Sequence, residues 1–202
     1  MNSNVEIHLN TVVTPEVIKK VQPDAVIIAI GSSSIVPNIA GINEDYVIDS
    51  HALLAGQRVS GKKAVVIGGG LVGIESSEYL AQKGFEVTVV EMKEKVLTEL
   101  GQLRQIGTQT SLAQEPIHIM TKTTCQSIAN HQVTVTTDDK EVTLDADIVV
   151  VAVGSQKNDS QALQEQCQAM NIKSYVVGDA KAPRLALDAI HEAYQAVLKI
   201  NQ

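Results

Sequence analysis

The strongest pattern along the chain lies at residues 64–91, AVVIGGGLVGIESSEYLAQKGFEVTVVE. It reads as an apolar strand, a glycine turn, a helix and a second strand that closes on an acid. Around it the periodicity predicts further elements. Residues 5–9 (VEIHL) alternate like a short strand. Residues 14–21 read as a helix with Thr14 as its cap and Pro15 at the first helical position. Pro23 and Asp24 break into the apolar run 25–30 (AVIIAI), a buried strand ending at Gly31. A long Ser-, Gly-, Pro- and Asn-rich stretch follows, of the kind that is functional or joins domains. Past the acid, a helix is expected near 98–113, ended by Pro116. Short strands come next near 117–120, 125–128, 132–136 and 140–144, with a hairpin turn at TTDDK (136–140). The run DIVVVAV closes this block at Gly154, and SYVVGD (174–179) precedes a last helix carrying Leu187, Ile190, Tyr194, Val197 and Leu198 at helical spacing. A loose echo links DAVIIAIGSSS (24–34) with DIVVVAVGSQK (147–157): Asp, apolar strand, Gly, polar loop.

The apolar runs are too short to cross a bilayer and suit buried parallel strands. The N-terminus has no charged region followed by an apolar one, so no secretory signal is readable. A cytoplasmic protein with no membrane contact is expected. The formal charge is −7, with Lys and Arg scattered, which argues against nucleic acid. Cys125 and Cys167 are too far apart in sequence for a CxxC pair or a zinc site and read as small buried residues. Aromatic residues make up 2% of the chain, leaving little for stacking on bases or on a flavin ring.

Gly68, Gly70 and Gly73 form G-x-G-x-x-G directly after a strand. The first glycine permits the tight turn, the second lets backbone approach a pyrophosphate, and the third lets helix pack on strand. The helix opening near Leu71 offers free N–H groups to phosphate. Glu91 ends the next strand, where a carboxylate takes ribose hydroxyls and repels a 2′-phosphate, favouring NAD(H) over NADP(H); Lys93 and Lys95 lie close by.

Other constellations carry less. Tyr79-x-x-x-Lys83 matches the catalytic pair of short-chain dehydrogenases but sits on the helix after the glycine turn, the wrong place for that chemistry. Asp138–Asp139 falls in a hairpin turn without a companion ligand. The five histidines do not cluster, and His191 reads as a capping or packing residue. Spacing supports neither a Ser–His–Asp nor a Cys–His arrangement. No metal site is expected, and the catalytic residues are left unassigned.

These segments resemble the flavoprotein reductases with two dinucleotide-binding domains, one for FAD and one for NAD(P)H. AIGSSSIVPNIAG (29–41) resembles the crossing from the FAD to the NAD domain, and VVIGGGLVGIESSEYLAQKGFEVTVVE the NAD fingerprint, with Glu75 included. DADIVVVAVGSQKN (145–158) resembles the return strand, SYVVGDAKAP (174–183) the second FAD motif and AIHEAYQAVLKI (189–200) the final helix. The wording is closest to the C-terminal part of 2-enoate and 2,4-dienoyl-CoA reductases, NADH:flavin oxidoreductases with an FMN barrel and an iron–sulfur cluster. This chain shows neither the glycine-turn unit that opens the family's FAD domain, nor the barrel, nor the cluster cysteines, nor the disulfide reductases' cysteine pair.

The resemblance implies an α/β fold: a Rossmann-like NAD-binding domain (61–154) with a small antiparallel β insertion. Remnants of a second Rossmann-like, FAD domain would flank it at 1–60 and 155–202, the chain being part of a longer enzyme. It implies dinucleotide contacts from Gly68, Gly69, Gly70, Leu71, Val72, Gly73 and Glu91, with Glu75 and Gly154 near the nicotinamide. Gly31, Gly178 and Asp179 would lie near the flavin nucleotide. In the intact enzyme hydride would pass from NADH to FAD; this chain alone is expected to hold NAD(H) weakly and FAD poorly or not at all. Partners are the nicotinamide dinucleotide, the rest of the parent flavoenzyme, or further copies of the chain joined through exposed sheet edges. A non-catalytic NAD-sensing module is the alternative.

Overall fold

The computed structural model describes residues 5–98 and 115–200. Contacts divide the chain into two compact units, one of residues 34–155 and one combining 1–33 with 156–202.

In unit 34–155 a parallel five-stranded sheet runs in the order β3-β10-β4-β5-β6: β3 (Val47–Asp49), β4 (Lys63–Ile67), β5 (Glu86–Val90), β6 (Ile117–Met120) and β10 (Ile148–Val151). The continuous apolar runs have a direct cause, because both faces of this sheet are covered. Ala64, Val66, Val87, Val89, Ile148 and Val150 point to one side. There they meet Ile74, Leu80 and Ala81 of helix α3 (Leu71–Gln82) and Leu53 of the short helix α2 (Ser50–Leu54). Val65, Ile67, Val90 and Val149 point to the other side and pack on Cys125, Ile128, Val133 and Val135 of an antiparallel sheet. That sheet is β7 (Thr123–Ala129), β8 (Gln132–Thr137) and β9 (Lys140–Asp145). Each fully buried valine contributes on the order of 1.5–3 kcal/mol of hydrophobic stabilisation. The expected strands 117–120, 125–128, 132–136 and 140–144 thus appear, and Asp138–Asp139 (φ 47° and 58°) form the two-residue turn of the β8–β9 hairpin. Gly41 (φ 81°) lets residues 39–42 lie on β7, where the Ile128 amide donates to the Ala40 carbonyl; a Cβ there would stand 1.7 Å from the Ile128 carbonyl oxygen.

The other unit holds α1 (Pro15–Val21), β1 (Ala25–Ile28), α4 (Gln161–Ala169), β12 (Lys173–Val176), a 3-10 turn (Gly178–Ala180) and α5 (Ala186–Ile200). β1 pairs in parallel with β12 in a two-stranded sheet. Two further segments, β2 (Ser32–Ser34) and β11 (Ser155–Lys157), also form a two-stranded ladder. Ile18, Ile28, Cys167, Val177, Ala180 and Ala196 are buried.

Several expectations change here. Residues 5–9 form no strand, and Val5, Ile7 and Leu9 are exposed. Alternation makes a strand only where a neighbour takes up the backbone and covers the apolar face, and no described residue does either. The run 25–30 is a strand only to Ile28, and it is half-covered rather than buried, since its sheet has two strands. The stripe Leu187, Ile190, Tyr194, Val197 and Leu198 lies on α5 as its spacing demands, yet it faces outward, while Ala196 points to the core. His191 is exposed too. Thr14 caps α1 through its carbonyl, which accepts from Val17 and Ile18, rather than through its hydroxyl. The helix expected near 98–113 falls almost wholly outside the described residues. Among the described residues no helix is long and apolar enough to cross a membrane.

Candidate dinucleotide site

Five parallel strands bring their carboxyl ends to one edge. From β4 the sheet grows one way through β5 and β6, and the other way through β10 and β3. The strand order therefore reverses between β4 and β10, and in open parallel sheets the crevice at such a point receives ligands.

The glycine turn sits at that crevice. Gly68 (φ 111°) continues the sheet by donating to the Val90 carbonyl at 2.8 Å, and its Cα faces the Ala152 carbonyl just past β10; a Cβ would stand 2.3 Å from that oxygen. Gly69 is buried against Val96, and a Cβ would come within 2.5 Å of it. Gly70 caps α3 in extended conformation, its carbonyl accepting from Ile74. Gly73 rests on the turn itself, where a Cβ would stand 2.0 Å from the Gly68 carbonyl oxygen. The cradle is thus shaped by missing side chains. The first-turn amides of α3, those of Leu71, Val72 and Gly73, have no intrahelical acceptor and point out of the helix N-terminus. Donors of this kind are what a pyrophosphate needs.

Glu91 does more than end β5. Its carboxylate accepts from the Gly69 amide at 2.6 Å and from the Lys93 amide at 2.8 Å, and the residue is 8% exposed. The acid therefore clamps the glycine turn to the segment after β5. Leu97 reinforces the clamp by donating its amide to the Gly69 carbonyl. Each carboxylate oxygen can accept a second bond, so ribose hydroxyls remain compatible with this arrangement. Glu75 is exposed on α3, and Gly154 (φ 105°) is exposed two residues past Ala152, its carbonyl accepting from the Ile35 amide. The unit thus gathers Gly68, Gly69, Gly70, Gly73 and Glu91 at one sheet edge, and the residues fit a dinucleotide.

Gly31, Gly178 and Asp179 lie in the other unit. The Gly31 carbonyl accepts from Asn158, and Asp179 accepts from the Ser32 hydroxyl at 3.2 Å. The Gly178 amide is already taken by the Glu192 carboxylate at 2.9 Å, which also accepts from Lys181 and Arg184. These donors hold the Glu192 carboxyl down at about 2. Among the described residues this unit contains no glycine turn between strand and helix, and the groups expected near a flavin nucleotide are bonded to Asn158, Glu192, Ser32 and Arg184 of the same unit.

Sequence spacing gave no hint of one cluster. Ser34, His51 and Asp49 meet just beyond β3, with Ser34 Oγ 2.9 Å and Asp49 Oδ1 3.5 Å from His51 Nδ1. Both contacts fall on one ring nitrogen, so this is no Ser–His–Asp relay, which needs the two on opposite nitrogens. Tyr79 and Lys83 contact each other as a cation–π pair at 4.8 Å. No group of His, Cys, Asp and Glu among the described residues could hold a metal.

A profile of the pyridine nucleotide-disulphide oxidoreductase family matches residues 2–190. Bilirubin reductase of Mediterraneibacter gnavus is 32% identical over 96% of the chain, which covers 30% of that protein. Cinnamate reductase of Clostridium sporogenes is 30% identical over 97% of the chain, which covers 29% of it. Among solved structures, a 2-naphthoyl-CoA reductase complex superposes with a TM-score of 0.83 at 32% identity, covering 92% of this chain and 28% of that one. The chain thus spans about a third of the length of each of these relatives.

Proposed function

Because the chain belongs to the pyridine nucleotide-disulphide oxidoreductase family, whose similar members are FAD- and NAD-dependent flavoprotein reductases, we propose that unit 34–155 binds NAD(H). In an intact flavoenzyme it would present the nicotinamide to FAD. When bound, the nicotinamide supplies a hydride and the flavin accepts it. The residues here bind and orient. The amides at the start of α3 neutralise the pyrophosphate, and Glu91 takes the adenosine ribose while repelling a 2′-phosphate. Glu75 and Gly154 lie towards the nicotinamide end.

The observation that carries this reading is the cradle without side chains at Gly68, Gly69 and Gly73, set where the strand order reverses and closed by Glu91. Titration of the purified chain with NADH, followed by nicotinamide fluorescence, tests it. Saturable binding is expected, and an absence of binding to NADH, NAD and ADP alike rejects it.

A second reading, an NAD-binding module without turnover, is favoured by the pairing of Glu192 with Gly178 in the other unit. Gly31, Gly178 and Asp179 would then meet a flavin nucleotide only with the rest of the parent enzyme present. Purified chain that carries stoichiometric FAD, seen as absorbance near the flavin band, rejects this second reading. The edges of the β1–β12 pair, open among the described residues, and the exposed stripe on α5 support association with the rest of the flavoenzyme or with another copy; a clean monomer by sedimentation counts against copies. Two buried free thiols, Cys125 and Cys167, suit a reducing compartment such as the cytoplasm.

A further inference from the structure

The parallel register lines up four strand ends in one row. Asp49 pairs with Val151, Val151 with Ile67 and Ile67 with Val90. Immediately past that row lie Ser50, Ala152, Gly68 and Glu91; Ser50 is buried, and the next residue, His51, is the first exposed side chain past β3. Glu91 at one end belongs to the adenosine side, and the pyrophosphate cradle sits in the middle at Gly68–Gly73. A dinucleotide continuing past the cradle runs over the ends of β10 and β3. Neighbouring strands are about 4.8 Å apart, so β3 lies roughly 10 Å beyond β4. That is where a second nucleoside joined through a pyrophosphate comes to rest.

The side chain at that place is His51. Its ring is 58% exposed, and Nδ1 is tied to Ser34 Oγ at 2.9 Å. Asp49 fixes the backbone beneath it by accepting from the His51 and Ala52 amides at 2.8 and 3.3 Å. Among the described residues Nε2 has no partner. An imidazole held through one nitrogen offers the other as donor or acceptor, according to tautomer. A nicotinamide riboside presents both kinds of group, in its ribose hydroxyls and its carboxamide. A purely structural role would need only Asp49, which caps α2 without help from the ring. We propose that His51, oriented by Ser34 and Asp49, is a binding residue for the nicotinamide mononucleotide half of the dinucleotide. This rests on the reading of unit 34–155 as an NAD(H) site.

The test separates the two halves of the ligand. The full chain as wild type, His51→Ala, His51→Gln and Ser34→Ala is titrated with NADH and with ADP, with melting temperature as a check on folding. His51→Ala weakens NADH roughly fivefold, the loss of about one net hydrogen bond, and leaves ADP unchanged. His51→Gln, which places a polar atom near the Nε2 position, recovers most of the loss. Ser34→Ala, which frees the ring without removing it, loses roughly twofold. Proton spectra give a readout independent of NADH: nicotinamide mononucleotide at millimolar concentration shifts the ring resonances missing from the His51→Gln spectrum, and AMP does not. Equal NADH affinity in wild type and His51→Ala overturns the proposal, as does an equal fall for ADP and NADH. Should His51→Ala not fold, Ser34→Ala and the wild-type spectra decide alone, and unshifted His51 resonances overturn the proposal. A wild-type chain that binds neither ligand overturns the underlying reading, and this proposal with it.

Discussion

Gly73 rests directly on Gly68: a Cβ at Gly73 would stand 2.0 Å from the Gly68 carbonyl oxygen and 3.4 Å from the Ala152 methyl group. Helix α3 can start where it does only because residue 73 has no side chain. Since the neighbour is backbone rather than a flexible side-chain tip, Gly73→Ala has to push the helix off the turn. Overpacking of this kind costs about 1–3 kcal/mol. The expected result is a melting temperature lowered by roughly 2–4 °C for each kcal/mol, with NADH affinity reduced at least about tenfold, because the helix N-terminus moves from the phosphates. Calorimetry and an NADH titration on one preparation check both. Unaltered NADH binding removes the turn from the site.

Glu91 clamps Gly69 and, on the proposed NAD(H) reading, faces the ribose. Glu91→Gln keeps an acceptor for one of its two amide partners and removes the charge that repels a 2′-phosphate. NADH affinity should fall roughly tenfold, in line with the loss of a charged hydrogen bond. NADPH affinity should fall far less or rise, with Lys93 and Lys95 nearby. Parallel titrations with the two nucleotides decide. Equal losses for both leave Glu91 as a clamp alone.

Glu192 gathers Lys181, Arg184 and the Gly178 amide, with the two cations the largest cause of its depressed titration, from 4.5 to about 2. A carboxyl whose folded value is lowered stabilises the fold above its unfolded value, and that contribution is lost as pH falls from about 4.5 towards 2. Acid melting curves of the wild type should therefore decline through that window. Glu192→Gln should begin less stable at neutral pH and decline less steeply. Identical slopes would show that the cluster is not linked to folding.

Burial pushes the Cys125 thiol up to about 11, and burial raises Cys167 as well. Both should resist an aromatic disulfide reagent at pH 8 in the native state, because the thiolate is the nucleophile. Both should react promptly in denaturant. Rapid native labelling of Cys125 would mean that the antiparallel sheet opens away from the parallel one.

The unit from β4 to β5 was legible in the sequence because its causes are local: an apolar run buried on two faces, glycines where no Cβ fits, an acid at the next strand's end. The hairpin strands were legible for the same reason, since alternation and turn residues act over a few positions. What lay out of reach was whatever depends on a distant partner. VEIHL alternates like a strand but meets no neighbour among the described residues to pair with. The stripe on α5 has helical spacing but nothing described to cover it. The charge of Glu91 could be read from sequence, whereas its bond to Gly69 exists only because two parallel strands are side by side in register. Ser34 and His51 are ordinary residues in a polar loop until β3 joins the edge of the sheet and brings them beside the crevice. Local patterning is enough to specify a nucleotide-type βαβ unit with an acid at its end. Tertiary structure alone decided which groups around it are already occupied and which are left to meet a ligand, because hydrogen-bond partners and coverage are properties of neighbours in space, not of neighbours along the chain.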